Sequence, residues 1–291
     1  MHSKSRLTPY VLLLPTMAII GLFIYWPTLE AVILSFYRQA PFGRRRMFIG
    51  LNNYLSILTD PDYRTSLWLT TVFVVLVVFF GLAISFVMAA LANQNLRGIQ
   101  IYRTIFFVPY AISPVVAGSL WIFLLNPVAG HVNYILGRFF NIYPQWLTDT
   151  TLAFVAVTIA TIWKNLGFNI IFYLAAFQSV PETIYESARI DGAGAITTFF
   201  RITVPLVSPT TFYLIIMNLI FAVFESFGIV DVMTQGGPTN ATSFLVYKLY
   251  KDSFVNFRPG LAAAQSVILL LMVVVITILH FRYNSRFVHY Q

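Results

Sequence analysis

A lysine in the middle of an apolar stretch is the residue of this sequence with the clearest capacity for chemistry. Lys164 interrupts the otherwise uncharged run Thr150–Val180, and Asn165 and Asn169 lie close to it. If the run spans a membrane, an ammonium there costs roughly 2.5–3.5 kcal/mol on insertion scales, so it should face protein or a water-filled cavity. Beside a polar path it would suit a phosphate-bearing substrate. The structural alternative is that Lys164 caps carbonyl groups of a bent neighbouring helix.

Two further polar residues lie in a later apolar run and extend the candidate path. Asn218 and Glu225 are seven residues apart, which predicts that they share one helix face and line the same path. A carboxylate repels an anionic substrate unless it pairs with a base such as Lys164, and Glu225 near the end of its helix could instead be solvated. The predicted path residues are Lys164, Asn165, Asn169, Asn218 and Glu225.

Covalent and metal chemistry find little support in the sequence. There is no cysteine, and His2, His131, His280 and His289 are scattered without metal-ligand spacing. The run Arg44-Arg45-Arg46 either docks an acidic partner or is simply a solvated loop. We therefore expect binding and movement rather than catalysis, and no metal site.

The composition is that of an integral membrane protein. Of 291 residues, 58% are hydrophobic and 10% are charged, whereas soluble domains carry about 25% charged residues. Six apolar runs reach the roughly 20 residues that a bilayer-spanning helix needs. The runs are Leu7–Leu29, Thr65–Leu96, Thr104–Gly137, Thr150–Val180, Ile202–Phe224 and Pro259–Phe281. We expect an all-α membrane protein with six transmembrane helices in a single domain, residues 1–291.

Proline and charge positions predict where the runs end and bend. The first helix is expected to end near Trp26 and Pro27, and Glu30–Arg64 is expected to be a long polar loop. Pro109 and Pro114 predict a bent or unwound third helix, because proline removes a backbone donor. Six crossings put both termini on one side, but Lys and Arg are divided almost evenly between the two sets of loops, so charge does not choose that side.

A polar segment of about residues 181–204, here called the polar hairpin, separates the fourth and fifth runs. Pro181 suits the first turn of a helix, with Ser179 as its N-cap. Gly192 can adopt the positive φ that a reversal needs. We expect a helix–turn–helix at a membrane surface, with a second short helix that ends before Pro205 opens the next apolar run.

The polar hairpin resembles the cytoplasmic loop of the permease subunits of bacterial ABC importers. The signature of that family is Glu-Ala-Ala, three residues, Gly, nine residues, Ile, any residue and Leu-Pro. The matching residues here are Glu186, Ser187, Ala188, Gly192, Ile202, Val204 and Pro205. Every spacing is kept, and the two departures, Ser187 for alanine and Val204 for leucine, are small.

The resemblance implies that the polar hairpin is a coupling helix that docks on a separate ATP-binding subunit. A stiff, protruding element is needed if closure of two ATPases is to move the membrane helices as rigid bodies. The residues it implicates are Glu186, Ser187, Ala188, Asp191, Gly192, Ile202 and Pro205. It also implies the type I importer permease fold in a bacterial inner membrane, with the hairpin and both termini in the cytoplasm.

Shorter motifs resemble the carbohydrate-uptake branch of this family, and within it most closely the A-type permeases for glycerol-3-phosphate. These are Val108-Pro109-Tyr110-Ala111, Leu120-Trp121-Ile122-Phe123, Asn126-Pro127, Gly236-Gly237-Pro238 and the tail from Phe281 to Gln291. The resemblance implies uptake of glycerol-3-phosphate or glycerophosphodiesters, with a second homologous permease, an ATP-binding subunit dimer and an extracytoplasmic substrate-binding protein as partners. ATP and Mg²⁺ would bind the partner ATPase subunits, and this chain would bind no cofactor. The chain itself lacks the Gly-x-x-x-x-Gly-Lys-Ser/Thr loop that holds ATP phosphates.

Other functions stay open at this point. A permease of the same family could carry a neutral sugar or oligosaccharide. An ion-coupled secondary transporter would use intramembrane carboxylates and often an internal repeat, and only Glu225 is near such a position. A membrane-embedded enzyme would need a cluster of His, Asp or Glu at an interface, whereas the carboxylates of this chain are dispersed or belong to the polar hairpin.

Overall fold

The structure is a computed structural model that describes residues 8–39, 45–93 and 99–287. Its elements in chain order are α1 (Thr8–Ile20), α2 (Trp26–Leu34), β1 (Tyr37–Gln39), β2 (Arg46–Phe48), α3 (Asn52–Thr59), α4 (Pro61–Ala92), α5 (Ile99–Ala111), α6 (Pro114–Leu124), α7 (His131–Phe140), α8 (Thr150–Ser179), α9 (Glu182–Ile190), α10 (Ala195–Thr198), α11 (Val204–Ile220), α12 (Phe227–Met233), α13 (Leu245–Tyr250) and α14 (Pro259–Phe287). π-Helical turns lie at Gly21–Tyr25, Phe199–Thr203, Phe221–Glu225 and Lys251–Val255.

Long apolar helices dominate the chain, as expected. Among the described residues, five helices are long and apolar enough to cross a membrane, and a sixth crossing results if α5 and α6 count as one bent span. The five are Tyr10–Leu34, Pro61–Ala92, Thr150–Ser179, Ala195–Glu225 and Pro259–Arg282. The third span is bent as its prolines predict, because the halves Ile101–Ala111 and Pro114–Leu124 meet at 102°.

The first membrane helix is longer than predicted. It does not end at Trp26-Pro27 but continues to Leu34, and the π-helical turn Gly21–Tyr25 ends two residues before Pro27. Proline lacks the N–H of a regular helix and its ring crowds the preceding turn. A π turn has one extra residue per hydrogen-bonded ring, and such a turn lets the backbone accommodate this defect without a break.

The described residues of the predicted long loop Glu30–Arg64 lie instead largely in regular structure. It contains the end of α2, the antiparallel pair β1–β2 in the register Tyr37↔Phe48, helix α3 and the first turn of α4. Apart from this short strand pair, the regular elements of the described residues are helical, so the predicted all-α fold class holds. Alternation of polar and apolar residues over only three positions per strand was too brief a signal to predict the strand pair.

The chain forms two compact units. The first comprises Met1–Tyr63 and Leu249–Val274, and the second comprises Arg64–Lys248 and Val275–Gln291. The expectation of a single domain stays a prediction.

Within the first unit, a buried asparagine ties the β-hairpin to α3. The Asn53 amide donates to the carbonyl oxygens of Ser35 at 2.8 Å and of Tyr37 at 3.1 Å, and the hydroxyls of Ser35 and Tyr54 lie 2.7 Å apart. These side chains satisfy backbone groups where the chain leaves α2.

The core of the second unit lies where α4, α8 and α11 meet. Its apolar cluster includes Leu82 and Ala89 of α4, Tyr173 and Phe177 of α8, and Leu214 of α11. α5 also packs closely on α8 at Gly167, where an added Cβ would lie 2.9 Å from the Cα of Phe107. These contacts position the polar residues of α8 that are predicted from the sequence to line the path.

Candidate functional site

The polar hairpin begins in a different way from the prediction. Ser179 is the last residue of α8, where its hydroxyl donates to the carbonyl of Ala176 at 2.8 Å. Pro181, with extended φ and ψ of −60° and 137°, occupies the N-cap position of α9 rather than its first turn. The carbonyl of Ala176 has no intrahelical partner at the end of α8, and the serine hydroxyl satisfies it locally.

The reversal occurs at the predicted glycine. Gly192 has a φ of +76°, and the hydrogen bond from the Ala193 N–H to the Ala188 carbonyl, 2.9 Å, closes the end of α9. This six-residue ring with a left-handed residue inside it is a Schellman-type C-cap. The left-handed backbone conformation therefore explains why glycine occupies this position of the motif.

The second arm of the hairpin is continuous with the fifth membrane helix. α10, the π turn Phe199–Thr203 and α11 form one helical segment from Ala195 to Glu225, so Pro205 does not open a separate helix as predicted. As at Pro27, a π turn ends two residues before the proline. The second arm of the hairpin and the fifth membrane helix are therefore one unbroken helical segment.

The hairpin presents a mixed charged and apolar surface. Glu186, Ser187, Asp191 and Pro205 are exposed, Ile202 is half-buried and Ala188 is buried. Ile190 and Ile196, on either side of the reversal at Gly192, are 86% and 77% exposed. Exposed apolar side chains beside charged ones are typical of a protein interaction surface.

Lys164 makes the contact that the structural alternative describes. Its side chain is buried, its Nζ donates to the Tyr110 carbonyl at 2.8 Å, and it lies 5.0 Å from the centroid of the Tyr110 ring. In an unbroken helix, the residue four positions on, Pro114, would donate to this carbonyl, but proline has no N–H. Lys164 supplies the missing donor at the bend between α5 and α6.

The three asparagines form one buried network between α8 and α11. Asn165 and Asn169 both donate to Oδ1 of Asn218, at 2.8 and 2.9 Å, and Asn218 donates back to Oδ1 of Asn169 at 2.7 Å. Gly81 of α4 covers the network, since an added Cβ would lie 3.7 Å from Oδ1 of Asn218. Amide pairs of this kind hold membrane helices together.

Glu225 does not share the face of Asn218, contrary to the prediction. Asn218 is fully buried, whereas Glu225 is exposed at the end of the π turn Phe221–Glu225. The extra residue of that turn shifts the helix phase, so the seven-residue spacing no longer returns to one face. Among the described residues, no ion pair joins Glu225 to Lys164.

The arginine run has a partly defined environment. Arg46 forms an exposed ion pair with Glu30, with the Arg46 Nη2 3.2 Å from the Glu30 Oε1, and Arg44 lies outside the described residues. Exposed pairs of this kind contribute about 0–1 kcal/mol.

Sequence reasoning missed three positions that support the polar residues: the Tyr110 carbonyl, Gly81 and Gly167. The first had a usable signal, because Pro114 necessarily leaves the carbonyl four residues before it without a helical donor. The glycines had none, because their role depends on which helix approaches them.

Comparison with known proteins identifies the fold and the family. The structure matches a crystal structure of a bacterial ABC transporter involved in the import of the acidic polysaccharide alginate, with a TM-score of 0.85 and 24% identity over 97% of this chain and 96% of that chain. A second match, also with a TM-score of 0.85, is the alginate transporter in complex with an alginate pentasaccharide-bound periplasmic protein. At this identity the likeness shows the fold alone, and it confirms the predicted type I importer permease fold.

Sequence similarity goes further than the fold. The chain is 40% identical over 288 residues to the sn-glycerol-3-phosphate transport system permease protein UgpA of Salmonella typhimurium, covering 99% of this chain and 97% of the relative. The UgpA proteins of Yersinia pestis and Agrobacterium fabrum are also 40% identical, over 97% and 98% of this chain and 96% and 97% of theirs. Residues 81–289 match the family described as binding-protein-dependent transport system inner membrane component. The chain therefore belongs to this family, as a non-catalytic, membrane-spanning permease subunit of an ABC transport system.

Proposed function

We propose that this chain forms, with a second homologous permease, the membrane path for uptake of sn-glycerol-3-phosphate or glycerophosphodiesters. The observation that carries the proposal is the 40% identity, along almost the whole of both chains, to permeases of sn-glycerol-3-phosphate transport. Substrate would be delivered by an extracytoplasmic binding protein. ATP and Mg²⁺ would act on two separate ATP-binding subunits.

The polar hairpin is the proposed contact with those subunits. Its exposed Glu186, Ser187 and Asp191 would bind polar groups of the ATPase, and exposed Ile190 and Ile196 would fill an apolar cleft. Gly192 and buried Ala188 would shape the hairpin from within, and Ile202 and Pro205 lie where its second arm enters the membrane helix. This assignment places the hairpin and both termini in the cytoplasm.

The substrate path is proposed to run beside the polar residues of α8 and α11. Lys164 donates to a carbonyl of α5, and Asn165, Asn169 and Asn218 satisfy one another between α8 and α11. These side chains would therefore meet substrate only when α8 moves away from α5 and α11. Glu225, which is exposed, is the member of this set that can be reached without such a movement.

Reconstitution tests the proposal directly. The chain is co-expressed with the candidate second permease, ATP-binding subunit and binding protein, purified in mild detergent and placed in nanodiscs. ATP hydrolysis is then measured with the binding protein and glycerol-3-phosphate, a glycerophosphodiester, or a neutral disaccharide. We expect the four proteins to co-purify and the phosphate-bearing substrates to stimulate hydrolysis.

Two other outcomes would contradict parts of the proposal. Stimulation by the neutral sugar alone would leave the importer intact but overturn the substrate. Failure of any ATP-binding subunit to co-purify, with the chain itself well folded, would overturn the coupling role of the hairpin.

A further inference from the structure

A groove between α5 and α8 combines an apolar wall with one cationic end. It has a volume of about 430 Å³ and is lined by Phe106 and Phe107 of α5 and by Ile171 and Ala175 of α8. Arg103 and Gln178 lie at one end of it, and Gly167 lies at the other. The two ends therefore differ in chemistry.

The cation has unused hydrogen-bonding capacity. Arg103 is half-buried, and one of its Nη atoms lies 3.5 Å from the Ala92 carbonyl, which is a long contact. Its Nε is buried and has no hydrogen-bond partner among the described residues. A half-buried guanidinium at the end of an apolar groove is suited to an anionic oxygen, and above all to a phosphate.

The length of the groove fits one leaflet of a bilayer. From Gly167 to Gln178, α8 advances by eleven residues, which is about 16 Å at the rise of an α-helix. Half of a hydrocarbon core of about 30 Å is about 15 Å. An acyl chain can therefore lie along the groove while its headgroup meets Arg103.

The cationic end lies at the same end of α8 as the polar hairpin. Gln178 immediately precedes Ser179, the last residue of α8. Arg103 contacts the end of α4, and Asn93, the residue after α4, lines a cavity together with Arg189 of the hairpin. Basic pockets between membrane helices at such a surface bind anionic lipid headgroups.

We infer that the α5–α8 groove is a binding site for an anionic phospholipid, with its phosphate on Arg103 and an acyl chain along Phe106, Phe107 and Ala175. The lipid would brace α5 against α8 at the end that carries the hairpin. It is a ligand of the permease distinct from any transported substrate.

The absence of cysteine permits a site-specific test. The full chain carrying Ala175→Cys is purified in detergent, labelled with bimane and titrated with brominated phosphatidylglycerol or brominated phosphatidylcholine, which quench on contact. We expect phosphatidylglycerol to reach half-maximal quenching at an about tenfold lower lipid fraction than phosphatidylcholine. A factor of this size corresponds to one additional charge-assisted hydrogen bond. Label at Ile278→Cys, on the exposed face of α14, should be quenched equally by both lipids.

Charge variants assign the preference to one residue. Arg103→Gln should abolish it and Arg103→Lys should retain part of it, whereas Arg282→Gln, an exposed arginine outside the groove, should leave it unchanged. Equal quenching by both lipids at position 175, or a preserved preference in Arg103→Gln, would overturn the proposal. Displacement of the brominated lipid by inorganic phosphate alone would also overturn it, because the groove would then be a site for a free anion. Loss of quenching when the second permease is added would do the same, because the groove would then be a protein interface.

Discussion

The buried polar side chains of this permease act mainly on groups that the helices leave unsatisfied. Lys164 donates to the carbonyl that Pro114 leaves without a partner, and Asn165, Asn169 and Asn218 satisfy one another. An ammonium is a costly way to supply one donor inside a membrane. Its presence is explained because the bent backbone of α5 offers a concentrated negative partial charge at its carboxyl end.

Replacing this lysine tests its role at the bend. Lys164→Met removes the donor and keeps the length of the side chain, so the free energy of unfolding should fall by about 1.5–3 kcal/mol, the range for hydrogen bonds to charged groups. The measurement is thermal unfolding of the purified permease in detergent. Arg138→Met, which removes an exposed charge on α7, should have little effect. Equal stability of Lys164→Met and wild type would mean that the lysine does not hold the bend.

The asparagine network makes a second prediction at this scale. Asn218→Leu keeps the approximate volume but leaves the amides of Asn165 and Asn169 buried without their shared acceptor. We expect a loss of about 1–2 kcal/mol, measured by the same unfolding assay. Asn52→Leu, at an exposed position, is the matched control. A neutral result would show that the network is open to water in the folded protein.

At the scale of elements, close packing of α5 on α8 depends on a single glycine. A Cβ at Gly167 would meet the backbone of Phe106 and Phe107, which cannot yield as a flexible side chain would. Gly167→Ala should therefore destabilise the protein by about 1–3 kcal/mol, as overpacking does. Gly21→Ala, where nothing lies within 4 Å of the added carbon, should be neutral or slightly stabilising. The measurement is the free energy of unfolding of the two variants, and equal values for both would contradict the prediction.

The hairpin makes the second prediction about an element. Glu186 is exposed, so Glu186→Arg should leave membrane insertion and unfolding unchanged. If the hairpin docks on an ATPase, reversal of this charge should lower substrate-stimulated ATP hydrolysis and uptake at least about tenfold, since like charges across an interface cost several kcal/mol. Arg138→Glu is the control for charge reversal elsewhere. Wild-type uptake by Glu186→Arg would remove the hairpin from the coupling role.

At the scale of the whole molecule, the bend between α5 and α6 decides the number of crossings. If these helices together cross once, Asn93 and Val128 lie on opposite sides of the membrane. Val128 and Asp191 also lie on opposite sides, because α8 crosses the membrane between them. If they form a re-entrant loop, Asn93 and Val128 share a side. A bend of 102° is compatible with both arrangements.

Labelling in intact cells separates the two. Single-cysteine variants at these exposed positions are treated with a membrane-impermeant maleimide before and after permeabilisation. We expect Val128→Cys to react in intact cells, and Asn93→Cys and Asp191→Cys to react only after permeabilisation. Reaction of Asn93→Cys in intact cells would show that α5 and α6 form a re-entrant loop. Reaction of Asp191→Cys in intact cells would show that the topology is the inverse of the proposed one.

Composition and local pattern by themselves determine much of the architecture of this permease. Twenty or more apolar residues cannot leave their backbone groups unpaired in lipid, so long helices follow directly from the sequence. The hairpin reversal follows in the same way, because Gly192 stands where a left-handed residue is needed. Pro109 and Pro114 likewise predicted the bend in the third span.

Only the tertiary structure decided which groups meet. The π turns before Pro27 and Pro205 carry helices through residues that are expected to end them, and the π turn at Phe221–Glu225 separates Glu225 from Asn218. Each depends on packing that a local sequence does not encode. The sequence allows Lys164 two roles, and the structure shows the contact that the structural role requires, with a carbonyl 54 residues away. Long-range contacts arise from the arrangement of whole helices, which is why spacing along one helix could not choose between these roles.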